Sequence, residues 1–160
     1  MTYNIDYFNL LQKSANPSTQ ILSTTYTEID GSKGSLVFSK GISTFLYKFS
    51  FYAETNYTSN YRPFMHIKLQ KSNDNFSTNI EDIPNCNINF SGETIQSSDW
   101  YYKVCNIMFI VENLNSQYEH LRLVTRSYSS SWNTNLHTTT LFGEGSVPVF
   151  YEPVLNIMEI

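Results

Sequence analysis

The sequence predicts an all-β fold, an antiparallel jelly-roll sandwich of about eight strands with a short N-terminal extension. Three observations lead there. Apolar residues recur at alternate positions in short segments from residue 25 to the end of the chain. No amphipathic helical stretch lies between these segments to carry parallel crossovers. The 160 residues are 16% aromatic and 15% charged, against about 25% charged in an average globular chain. The polar surface must therefore come from Asn, Ser, Thr, Gln and Tyr, which suit sheets better than exposed helices. A chain of this length fits one domain, divided as a 1–24 N-terminal arm and a 25–160 sandwich.

In the arm, Ile5, Phe8 and Leu11 stand at roughly helical spacing, so residues 2–12 read as a short helix or an irregular extension. Asn16-Pro17-Ser18 then marks a turn. Tyr3, Ile5, Tyr7, Phe8 and Leu11 make the arm too apolar for a solvated tail. Burying each such side chain is worth roughly 1.5–3 kcal/mol, which makes these residues a candidate assembly arm.

Residues 35–39 read as a short strand between glycines. Residues 44–52 are the clearest strand: Phe45, Tyr47, Phe49 and Phe51 point one way and Leu46, Lys48, Ser50 and Tyr52 the other. Residues 54–62 read as a polar loop. Residues 64–70 place Met65, Ile67 and Leu69 inward. A long polar loop follows over 71–82, and residues 85–90 set Cys86, Ile88 and Phe90 on one face. The run 101–112 is apolar on both faces toward its end, which suits a central strand or one whose outer face meets a neighbour. Residues 120–128 turn Leu121, Leu123 and Thr125 inward, residues 135–142 carry Leu136, Thr138, Thr140 and Phe142 on one side, and residues 153–159 close the chain. No internal repeat suggests a propeller or solenoid.

The chemistry these residues offer is sparse. The net charge of −4 and pI near 5.3 lack the basic stripe of a nucleic-acid partner. No apolar run is long enough to span a bilayer, and the first eleven residues lack the basic and apolar regions of a signal peptide. Cys86 and Cys105 fall inside apolar β segments and are expected as buried free thiols. His66, His120 and His137 show no metal-ligand spacing, and the carboxylates are scattered, so no catalytic residue, cofactor or metal is expected. Tyr57, Tyr61, Trp100 and Trp132 are candidate surface aromatics, for sugar stacking or protein contact; a tryptophan at a strand end more simply caps the core.

Several stretches carry a resemblance: Tyr26-Thr27-Glu28-Ile29, Thr44-Phe45-Leu46-Tyr47-Lys48-Phe49-Ser50-Phe51, His66-Ile67-Lys68-Leu69, and Arg126-Ser127-Tyr128-Ser129-Ser130-Ser131-Trp132 with Asn135-Leu136-His137. Together, over about residues 20–160, the chain resembles small single jelly-roll structural proteins of large DNA viruses and related fibre-like phage proteins, similar in outline to the trimeric tumour-necrosis-factor and complement-type jelly rolls. The resemblance implies a virion capsid component, a penton or minor capsid protein. It would work as a homo-oligomer, a pentamer first and a trimer second, with other capsid proteins as partners. Its alternative is the receptor- or glycan-binding head of a surface fibre. It implies no active-site residue.

Overall fold

Phe45, Tyr47, Phe49 and Phe51 all face inward from one strand and anchor the core, as their alternation predicts. The architecture around them comes from a computed structural model that describes residues 10–13, 19–37, 44–56, 64–91, 100–112, 114, 118–131, 133–139 and 149–160. In chain order the strands are β1 (Leu10–Lys13), β2 (Gln20–Ile21), β3 (Thr27–Glu28), β4 (Gly34–Val37), β5 (Phe45–Asn56), β6 (Phe64–Ser72), β7 (Glu81–Ser91), β8 (Trp100–Val111), β9 (Tyr118–Ser127), β10 (Asn133–Leu136), β11 (Thr138–Thr139), β12 (Val149–Phe150) and β13 (Val154–Glu159). Among the described residues there is no helix.

These strands form two antiparallel sheets packed face to face, with β11 and β12 as a separate pair. In the first sheet β5 is central. β8 pairs along its whole length on one side, while β13 and β10 share its other side, with β1 beyond β13 and β2 beyond β10. The second sheet runs β7, β6, β9, then β3 and β4 side by side along β9. Successive strands thus cross between layers, from β4 to β5, back to β6 and β7, over to β8 and back to β9. That is the antiparallel jelly-roll sandwich expected from the sequence. Met65, Ile67, Leu69, Leu121 and Leu123 of one sheet meet the β5 aromatics, Leu155 and Ile157 of the other.

Four details of the sequence reading change. Residues 10–13 are neither helix nor free arm but an edge strand on β13, and residues 20–21 pair with β10. Part of the stretch set outside the sandwich therefore belongs to its sheet, because four residues are too few for a period of two to show. β5 continues through residues read as loop: Glu54 and Thr55 are buried, since β8 and β10 flank them and Thr55 Oγ1 lies 3.0 Å from Thr134 Oγ1. Ile88 is exposed although Cys86 is buried on the same face, because β7 lies at the sheet margin. The expected strand over 135–142 is broken at His137, whose backbone turns left-handed (φ 67°). At that corner His137 N–H donates to Tyr52 O (2.7 Å), and Tyr151 N–H donates to His137 O (2.8 Å).

Bonds to β9 and β5 fix the β3–β4 turn. Gly31 takes φ 80° there, as a residue without Cβ readily can. Ser32 Oγ donates to Leu123 O (3.3 Å) and accepts from Leu123 N–H (3.1 Å), and the buried Tyr47 hydroxyl donates to Ser32 O. Burial pushes the Tyr47 phenol well above its ordinary pKa, so it stays neutral.

Candidate functional site

Two surfaces stand out, one on each sheet. The first follows from how the two adjacent sheet margins end. β7 carries Pro84, a break in register against Lys68 and Gln70, a left-handed Asn85 (φ 62°) and the acidic Glu81 and Asp82. Proline, bulges and charge are the devices that stop a strand edge from pairing further. β8 has no proline and no break in register, and its one charged residue, Lys103, lies over the Phe90 ring of β7 at 5.4 Å. The strand runs twelve residues in unbroken register with β5, and among the described residues it has no second ladder. Its outward positions hold Val104, Asn106, Met108 and Ile110, and the three apolar ones are 58%, 63% and 57% exposed. Leu46 and Met158 extend this apolar strip across β5 and β13, opposite Ile110. A strand apolar on both faces is thus at the margin of the sheet, not its centre.

The second surface is the outer face of the other sheet. Register brings Asn89 of β7 beside His66 of β6, and His66 beside Arg126 of β9. Tyr26 precedes Thr27, the partner of Thr125, and so completes the transverse row. Its hydroxyl lies 2.6 Å from His66 Nδ1 and its ring meets the imidazole edge-on at 5.7 Å. Lys68 Nζ and the Arg126 guanidinium lie over the same ring, 4.3 Å and 4.9 Å from its centre. Phe64 and Tyr128, tied by Tyr128 N–H donating to Phe64 O (3.0 Å), complete an open pocket of about 170 Å³.

The charges around this pocket are unequal. Lys68 is neutralised by Asp82 at 2.6 Å, and Arg122 pairs with Glu28 at 3.1 Å. Arg126 has no ion pair among the described residues, and no carboxylate lines the pocket. Partial burial and the neighbouring Arg126 and Lys68 hold the His66 pKa below its ordinary value, so the ring is neutral near pH 7. Further along the same face, Phe76 lies under Arg122 (4.1 Å) and Lys33 (5.4 Å). Its loop is held by Asp74, which accepts from the N–H groups of Ser77, Thr78 and Asn79. The Thr78 and Ser72 hydroxyls, seconded by these backbone bonds, hold the Asp74 carboxyl far below the usual carboxylate range.

Neither Leu11 nor Trp100 lines this pocket. Tyr3, Ile5, Tyr7, Phe8, Tyr57, Tyr61 and Trp132 are outside the described residues. Leu11 pairs with Asn156, and Trp100 opens β8 opposite Asn56. His66, Arg126 and Tyr128 are visible one by one in the sequence, but alternation assigns faces and not partners, so their convergence on one pocket is not. Among the described residues, no three of His, Cys, Asp and Glu gather as a metal-binding group, and no helix is long and apolar enough to cross a membrane. Cys86 and Cys105 are both free and buried, as their apolar settings predict. No protein-family model and no curated protein sequence matches this chain.

Proposed function

We propose that this protein is a capsid building block of a virion, the vertex penton, and works by packing against copies of itself and other capsid proteins. The observation that supports assembly most directly is the contrast between the interrupted, acidic β7 margin and the unbroken β8 strand with its exposed Val104, Met108 and Ile110. Exposed apolar strands left without proline or bulge are where another chain adds. The sequence resemblance supplies the setting, a virus particle, and the low charge of the chain suits a surface destined for protein contact. Closed rings need two different faces that fit each other. The β8 strip is one of them.

The test is the mass of the species in solution. A several-fold multiple of the 18.5 kDa chain is expected by native mass spectrometry, with five-fold rings in electron micrographs. Replacing Met108 and Ile110 together by lysine should release monomers whose thermal unfolding is unchanged. A wild-type chain that stays monomeric at high concentration overturns the assembly reading, and three-fold particles overturn the penton assignment.

A further inference from the structure

We propose that the pocket formed by Tyr26, Phe64, His66, Asn89, Arg126 and Tyr128 binds a single carboxylated sugar ring, of the uronic or sialic acid type. The proposal is independent of the assembly reading. It also places sugar recognition on the opposite sheet from β8 and on residues other than Tyr57, Tyr61, Trp100 and Trp132.

Each part of such a ligand has a counterpart here. Sugar rings present C–H faces that stack on aromatic planes, and Phe64 and Tyr128 are 42% and 79% exposed at the pocket rim. A carboxylate pairs with guanidinium through two parallel hydrogen bonds. Arg126 is the lining cation without a carboxylate partner among the described residues, and its position is fixed by packing on Tyr26. Ring hydroxyls both donate and accept, as does the exposed side-chain amide of Asn89. The neutral His66 ring, bonded at Nδ1 to Tyr26, adds a polar wall without a second positive charge.

Size and charge narrow the class. At about 170 Å³ the pocket is smaller than the roughly 300–1,000 Å³ sites that enclose drug-sized ligands, and it suits one ring. The chain as a whole carries −4, yet this lining is positive, so the preference for an anion is local and not a consequence of net charge. A nucleic-acid strand would need a track of cations along its backbone, and here one unpaired arginine serves one anionic group.

The test is a nuclear magnetic resonance titration of the full chain with methyl β-glucuronide and with the methyl glycoside of N-acetylneuraminic acid. The controls are methyl β-glucoside, inorganic phosphate and adenosine monophosphate. At least one acidic sugar should bind, with a Kd on the order of 1 mM, at least tenfold more tightly than any control, and should shift the His66 and Arg126 side-chain signals. Arg126→Gln and Tyr128→Ala are surface changes that leave the fold intact, and each should weaken binding at least tenfold. Lys48→Gln, on the other sheet, should not change it. Equal binding of methyl β-glucoside, no binding of either acid, or full binding by Arg126→Gln overturns the proposal. Tighter binding of phosphate or adenosine monophosphate overturns it in favour of a phosphate site.

Discussion

Phe49 shows how much a single side chain carries. It is buried at the centre of β5 and stacked against Phe51 at 5.5 Å. Phe49→Ala should cost on the order of 3–5 kcal/mol, because the surrounding sheets cannot collapse into the space. Chemical denaturation measures this, and a loss below about 1 kcal/mol would mean the site relaxes freely. His137 has the opposite character. It is fully buried, left-handed and packed on Phe51, and neither ring nitrogen has a hydrogen-bond partner among the described residues. Burial holds its pKa below the ordinary value, with Asp30 opposing weakly, and burial also lowers His66 and His120. The unfolded chain therefore binds protons more readily than the folded one. Stability should be complete above the unfolded value of about 6.5 and fall as the pH drops from there toward the folded values. The melting temperature should decline between about pH 7.5 and pH 5.5. His137→Asn keeps a residue tolerant of the left-handed corner and removes the titration. Its acid decline should be shallower, and an unchanged slope would assign the effect to other groups.

At the scale of elements, the two neighbouring margins differ in chemistry as well as in pairing. Cys86 of β7 and Cys105 of β8 both face the core, and the Cys86 thiol donates weakly to Ile110 O at 3.8 Å. Burial pushes Cys86 up and Cys105 up to about 12, so neither forms appreciable thiolate while the margins stay closed. A thiol reagent should label both cysteines in denaturant and neither in the native protein; rapid native labelling would show that the margins part readily. The strands themselves were largely legible, because β5, β6 and β9 alternate over enough residues for their inward sets to be named correctly. β1 and β2 were not legible, being too short to show a period. The Asn89, His66 and Arg126 row was hidden for a different reason. Its members belong to three strands joined by long-range register, and register depends on turns and on a bulge at Pro84 that no local pattern reveals.

For the whole molecule, β1 links the beginning of the chain to its end. Removing residues 1–13 strips the strand that covers β13, so the truncated protein should melt at a lower temperature than the full chain. An unchanged melting temperature would mean that β1 contributes nothing to the sandwich. The first sheet thus depends on a pairing between β1 and β13, which must wait until Ile157 is available. The same pairing has a mechanical consequence. Leu10 lies opposite Ile157 and Lys13 opposite Val154, so the start of β1 and the end of β13 lie at the same end of an antiparallel ladder. Tension between the termini opens that ladder like a zipper, one bonded pair after another, and never loads all its bonds in shear together. Rupture should begin there at low force in a single-molecule pulling experiment.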